Sequence, residues 1–365
     1  MSTFGTCIPI SLFGESHGKA IGITLHGLPG NIPLNLDEIQ NALERRKPRF
    51  TFLTHRVETD AFTILSGFKN GVTTGSPLTI TLENKDIRPE DYKNPIARPG
   101  HSDYPAYIKH QGSNDLSGGG HFSGRLTAPL VILGDIARQI LAPLHIDVVS
   151  TIRSIHEHLG EEFDDKSFTK ETIKRLLNSD FPTINLNDQE KFIKTIENAK
   201  NNGDSVGGTI QTAILNLPIG LGEPFFDSFE SILSHLLFSV PSVKGLSFGK
   251  GFELSKLYGS QSNDPLTSTS NTVTFTSNNM GGVLGGLSTG QPLIYTTAIK
   301  PTPSITLPQE TIHLETKKPL TYALQGRHDT CIVPRALTVI NALSYYTTLE
   351  LLIRKEGWHW LLSKH

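Results

Sequence analysis

Apolar and polar positions change period repeatedly along the chain, and each change predicts an element. Residues 7–12 and 20–28 read as two short strands, separated by the turn-like Phe13-Gly-Glu-Ser-His-Gly18. Asn35 with Glu38 three residues on has the spacing of a capping box, and Leu36, Ile39 and Leu43 recur at helical intervals. An amphipathic helix over Leu36–Lys47 is therefore predicted, ended by Pro48. Residues 61–84 alternate around Gly71 and the Thr73-Thr-Gly75 turn, which predicts a β-hairpin. Leu126 to Leu144 is apolar almost all round, the pattern of a helix buried on every side.

The second half is less regular. Residues 157–205 are dominated by charge, with helical periods in Phe168–Leu177 and Asp188–Ala199, and read as a solvated helical excursion. Alternation returns in a strand over Gly208–Leu217, and Asp227-Ser-Phe-Glu230 caps an apolar helix that runs to about Ser239. Residues 259–281 are polar with few large side chains and read as a long loop, either a functional lid or disordered. A glycine-rich turn at 281–286, a strand over Pro292–Ile299 and a second apolar helix over Ala336–Ile353 with a short charged tail complete the pattern.

Composition narrows the class. At 365 residues the chain holds one large domain or two ordinary ones, and 37% hydrophobic with 19% charged residues is the balance of a soluble globular protein. A formal charge of −2 excludes a global basic field for nucleic acid, and 33 glycines with 22 prolines imply many tight turns. Cys7 and Cys331 stand far apart without metal-ligand spacing and read as reduced thiols. The first residues lack a basic and then apolar leader, and Leu126–Leu144 carries Asp135 and Arg138. The expectation is a cytoplasmic protein that does not engage a membrane.

Candidate chemistry gathers in loops. Residues 97–130 join Arg98 and His101 to a triple glycine, Gly118 to Gly120, then to His121, Ser123 and Arg125 at the mouth of the predicted buried helix. Glycines let backbone N–H groups approach a ligand, and arginine clamps oxyanions with two parallel bonds. His17 beside Ser16, and His328 beside Arg327 and Asp329, repeat the same vocabulary. Arg45, Arg46, Lys47, Arg49 and Arg56 exceed what a helix C-terminus requires and suggest an anion-facing surface. A glycine hairpin with surface histidines accounts for any one loop alone; three together support acid–base chemistry on a small, multiply anionic substrate. No metal-site spacing, phosphate-loop lysine or dinucleotide Gly-x-Gly-x-x-Gly fingerprint is present. These residues leave substrate and cofactor open.

Read together, the loops resemble those of the chorismate synthase family. The matches are Phe13-Gly-Glu-Ser-His-Gly18, Arg98-Pro-Gly-His-Ser-Asp103 and Gly326-Arg-His-Asp-Thr-Cys331. Glu44-Arg-Arg-Lys-Pro48, Ile64-Leu-Ser-Gly67, Val72-Thr-Thr-Gly75, Val243-Lys-Gly245, Gly281 to Gly290 and Lys300-Pro-Thr-Pro-Ser304 support them, in the family's order. The resemblance implies an α/β (α+β) fold: a single large β-α-β sandwich domain over residues 1–365, with antiparallel sheets and buried helices, assembled as a homotetramer. It implies a lyase of the shikimate pathway that converts 5-enolpyruvylshikimate 3-phosphate to chorismate and phosphate by 1,4-elimination. Reduced FMN is required although no net oxidation occurs.

By the same resemblance, His17 protonates the departing phosphate, His101 protonates reduced flavin, and Asp329 with Ser16 relays a proton through the flavin. Arg46, Arg49, Arg98, Arg125 and Arg327 hold substrate anions, Arg327 also touching flavin. His121, Phe122, Ser123, Pro241, Ser242, Gly285, Lys300, Pro301, Thr302, Pro303 and Ser304 bind the flavin; no metal is implied. His121 and Phe122 stand where many members carry Arg and Ser, and the basic loop after Pro48 is one residue shorter than the common form. Without a dinucleotide fingerprint the chain is expected to depend on a separate flavin reductase, NADPH serving only indirectly. Two rivals remain: another flavin-dependent phosphate lyase on the same scaffold, and a non-catalytic phosphoanion-binding protein.

Overall fold

The computed structural model describes residues 2–47, 49–50, 58–86, 95–164, 166–269, 272–324 and 329–364. Two five-stranded sheets enclose a layer of helices, and every strand pairing among the described residues is antiparallel. The first sheet orders its strands Thr3–Phe4, Ile10–Gly14, Ala20–Leu25, Leu78–Glu83 and Phe62–Ser66. Its register sets Ile21, Ile23 and Leu25 opposite Leu82, Ile80 and Leu78, all buried. That face is the one the period-two alternation assigns to the core. The predicted hairpin over 61–84 is present, with a smaller pair, Phe68–Lys69 and Val72–Thr74, at its tip.

The second sheet runs His158–Leu159, Asp147–Ile155, Gly208–Leu215, Leu293–Ile299 and Val243–Phe248. Thr127–Leu141 packs on the first sheet and Val333–Leu362 on the second, and the two helices pack on each other. They meet closely at Gly134, where an added Cβ would lie 2.2 Å from Ala342 Cα. Two helical runs, Ser117–Leu144 and Val333–Leu362, are long and apolar enough to cross a membrane, yet 78% and 83% of their apolar windows are buried in the protein. They are core helices of the sandwich.

The charged segment over 157–205 has a structural task. Its helices Lys170–Asn178 and Leu186–Asn201 cover the outer face of Asp147–Ile155. Val149, Phe163, Leu176, Ala213 and Leu215 form a second small core beneath them. Two expectations need correction. The polar stretch 259–281 contains a short helix, Gly259–Ser262, and a hairpin, Leu266–Thr269 with Thr272–Phe275. Asp264 pins its return by accepting from Ser277 Oγ and from the N–H groups of Asn279 and Met280. Threonine is β-branched, so Thr/Val/Phe alternation there is strand pattern despite its polarity. The last helix begins at Val333 and extends to Leu362, with a break at Gly357 (φ 77°), because Leu361 past the charged stretch returns to the core.

Candidate active site

The site is organised by Gly118, Gly119 and Gly120, whose φ angles are 59°, 88° and 51°. Glycine is required here for backbone conformation and for space. A Cβ on Gly118 would lie 2.2 Å from His17 Cε1, and one on Gly119 would lie 3.2 Å from His101 Cε1. The two imidazoles, far apart in sequence, therefore rest against successive residues of one turn. Ser16, fully buried, donates its N–H to the Gly120 carbonyl at 3.0 Å. His121 closes the other side. Its Nδ1 donates to the Gly14 carbonyl and its Nε2 accepts from the Ser2 hydroxyl, both at 2.8 Å. Both ring nitrogens are thus used by the chain itself.

Asn84 couples the His17 turn to the arginines. Its amide donates to the carbonyls of Glu15 and Gly18 at 2.9 and 2.8 Å, and its oxygen accepts from Arg125 Nε at 3.1 Å. Asp60 lies between two buried guanidiniums, hydrogen-bonded to Arg125 and 3.7 Å from Arg46. Arg46 also donates to Thr127 Oγ1 at 3.1 Å and to the Gly124 carbonyl at 2.9 Å. Burial first, and Arg335 second, bring the Arg46 pKa down to about 9, with Asp60 opposing. An anion docked beside this group would relieve both effects.

Beyond the turn, Asp103 accepts from Arg98 Nε at 2.6 Å, Arg98 Nη2 at 2.8 Å and His101 Nδ1 at 2.7 Å. Burial alone would raise the Asp103 carboxyl, but the hydrogen bonds from Arg98 and His101 outweigh it and hold the group well below the usual carboxylate range. Lys300 Nζ donates to the Gly100 carbonyl at 2.5 Å and its backbone N–H to the Ser242 carbonyl at 2.9 Å. Burial, then Lys244, lowers the Lys300 ammonium pKa. Pro303 lies beside Gly100, so the Lys300–Ser304 strip borders the Arg98–His101 turn.

A cavity of about 260 Å³ opens among these groups. Of the residues singled out by sequence, Arg46, Arg98, Ser123 and Arg125 line it, as do Pro241, Thr302, Ser304 and Asp329. His17 and His101 adjoin it through Gly118 and Arg98. Its lining holds five cationic side chains, the others being Lys47 and Arg335, against the three acids Glu58, Asp60 and Asp329. Thr302 Oγ1 and Arg335 Nε are buried with no hydrogen-bond partner among the described residues. A site rich in cations with unused buried donors suits an anion.

Other predicted residues lie elsewhere. Arg49 pairs with Asp180 and lines a separate cavity of about 740 Å³. In that larger space Arg138 is bound to Glu38 and Asp135. Phe122 is exposed, near His110, and Gly285 sits at the open tip of the Val283–Ser288 hairpin. Pro301 is exposed, and Arg56, Arg327 and His328 fall outside the described residues. Sequence reasoning passed over Asp60, Asn84 and Arg335, and placed Asp103 beside His101 without giving it a role. A signal existed for Arg335, a cation in the first turn of an apolar helix, where the helix dipole disfavours it.

Comparison with known proteins identifies the family. The family model described as chorismate synthase matches residues 8–353. A chorismate synthase of Dehalococcoides mccartyi is 41% identical over 97% of this chain and 97% of its own length. One from Thermococcus kodakarensis is 42% identical over 97% and 98%. A crystal structure of chorismate synthase superposes with a TM-score of 0.77 at 26% identity, covering 99% of this chain and 97% of that one. By motif order, fold and full-length similarity, the chain belongs to the chorismate synthase family.

Proposed function

We propose that the chain converts 5-enolpyruvylshikimate 3-phosphate to chorismate and phosphate by 1,4-elimination, with reduced FMN as its cofactor. The observation that carries this reading is the glycine turn, which sets His17 and His101 against neighbouring residues at the edge of a cation-rich cavity. Such a lining offsets a substrate bearing one phosphate and two carboxylates. The residues fit a phosphorylated cofactor as well, since Thr302 Oγ1 is a buried donor without a partner among the described residues and stands in the Lys300–Ser304 strip. Ser123, Pro241, Ser242, Lys300, Thr302, Pro303 and Ser304 would hold the flavin, with His121 fixing the loop that presents Ser123. When bound, reduced FMN supplies electron density to the allylic system as phosphate leaves and recovers it afterwards.

The chain's own residues bind and move protons. Arg46, Arg98 and Arg125, with Arg327, neutralise substrate anions. His17 gives a proton to the departing phosphate oxygen. His101 holds a proton beside Gly119, and Asp329 with Ser16 receives the one released from carbon. One domain carries the whole site, because its parts come from both halves of the chain. The protein acts in the cytoplasm as a homotetramer; exposed Ile219, Phe225 and Phe226 support self-association. A separate reductase delivers electrons, NADPH acting only through it.

An anaerobic assay of chorismate release with photoreduced FMN tests the reading. His17→Ala is expected to lower turnover by roughly 10²–10⁴, the contribution of a positioned general acid. The unsubstituted protein with oxidised FMN and NADPH alone is expected to stay silent. Full activity in His17→Ala would remove the role given to His17, and no chorismate release from the unsubstituted protein would instead favour a non-catalytic phosphoanion-binding role.

A further inference from the structure

The geometry points to Asp103 as the positioning residue that fixes the proton of His101 on Nδ1 and leaves Nε2 as the reacting nitrogen. The inference rests on the role proposed for His101, and it concerns a residue that the motif alone leaves without a task. Asp103 is the first residue of the short helix Asp103–Lys109 and is 4% exposed. Its oxygens take four donors. Oδ2 accepts from the Arg98 N–H at 3.0 Å and Arg98 Nε at 2.6 Å, while Oδ1 accepts from Arg98 Nη2 at 2.8 Å and His101 Nδ1 at 2.7 Å. Four is about the number of lone-pair positions a carboxylate offers.

Arg98 Nη2 also approaches His101 Nδ1, at 3.1 Å, so two hydrogen-bond patterns must be weighed. If Nδ1 were a bare lone pair accepting from the guanidinium, it would face a carboxylate oxygen at 2.7 Å with no proton between them. A guanidinium only donates and an ionised carboxylate only accepts, so the pattern that satisfies every atom places the proton on Nδ1. Arg98 and His101 then converge on the same oxygen as two donors. His101 Nε2 makes no hydrogen bond within the described residues, and it would lie 3.3 Å from a Cβ on Gly119. With Nδ1–H anchored, proton gain and loss at His101 is confined to Nε2, on the glycine-turn side. A carboxylate behind a histidine sets tautomer and ring orientation in the same way in other enzymes.

The direct test is nitrogen-15 NMR of the full chain carrying labelled histidine, with His101 assigned by the signals lost in His101→Gln. Neutral His101 is expected to carry its proton on Nδ1. A proton on Nε2 in the unsubstituted protein overturns the assignment, and that measurement needs no altered fold. Asp103→Asn, which offers an amide N–H, is expected to move the tautomer toward Nε2–H and to lower kcat with photoreduced FMN by roughly 10²–10⁴. Asp103→Glu keeps the carboxylate and is expected to keep the Nδ1–H form. An unmoved tautomer in folded Asp103→Asn also overturns the proposal. A moved tautomer with unchanged kcat supports it and removes instead the role given to His101.

Discussion

Arg335 shows how a single side chain can be placed against local preference. It stands in the first turn of the helix Val333–Leu362, where the helix dipole disfavours a cation by a few tenths of a kcal/mol to about 1 kcal/mol. Asp329 offsets this by accepting from Nη1 at 2.6 Å. The buried Nε, without a partner among the described residues, then has a donor to offer the cavity. Arg335→Lys keeps the charge and loses the fork. Loss of one charge-assisted hydrogen bond, about 1.5–3 kcal/mol, predicts a fall in kcat/KM of roughly 10- to 100-fold. Steady-state kinetics under anaerobic conditions checks this; an unchanged kcat/KM would reduce Arg335 to a partner of Asp329. The residues gathered at the glycine turn and the cavity edge were legible because they sit in short glycine-punctuated runs of unlike residue types. Two of their supports were not: Asp60 and Asn84 act on side chains distant in sequence, and no local pattern encodes such a contact.

Among the elements, the crossing of the two core helices sets the geometry of the sandwich. Gly134 lies in the middle of Thr127–Leu141, where glycine costs about 0.5–1 kcal/mol relative to alanine, so packing must favour it. The reason is Ala342, whose Cα and Cβ would both lie 2.2 Å from a Cβ at position 134. Gly134→Ala is therefore expected to lower the denaturation midpoint by the equivalent of about 1–3 kcal/mol, despite its better helix propensity. Ala342→Gly should give only partial rescue, because the Cα remains in the way. Urea titration followed by circular dichroism measures both; a neutral Gly134→Ala would show that the helices can separate at little cost. Helices and central strands were readable because apolar periodicity reports burial directly. The hairpin in 259–281 escaped because its alternation is written in threonine, and the end of the last helix escaped because three charged residues, Arg354 to Glu356, precede its final buried turn.

At the scale of the whole molecule, the chain is closed by Glu350 of the last helix. Its carboxylate accepts from the backbone N–H groups of Thr6, Cys7 and Ile8 and from the Thr6 hydroxyl, at 2.7–2.8 Å. Tyr346 donates to the Ile8 carbonyl at 2.8 Å in the same place. These bonds hang the first sheet, and with it the Ser16–His17 turn, on the core helix. Burial acts to raise the Glu350 carboxyl, but the donors from Cys7, Thr6 and Ile8 prevail and lower it. Asp103 is lowered in the same way. A carboxylate with a depressed folded pKa contributes its full stabilisation above the unfolded value, about 4, and loses it as pH falls through the folded one. Asp147 and Glu230 are raised by burial and have the opposite sign, so acidification relieves them first, at higher pH. Stability is expected to change little between pH 7 and about 5 and to fall below about 4, where the Asp103 and Glu350 contributions disappear. Glu350→Gln isolates one of them. It should cost about 2 kcal/mol at pH 7, the worth of hydrogen bonds to a charged acceptor, and progressively less toward pH 3. Parallel denaturation curves of the two proteins across pH provide the check. A difference that stays constant with pH would mean that Glu350 holds the N-terminal segment by shape rather than by charge.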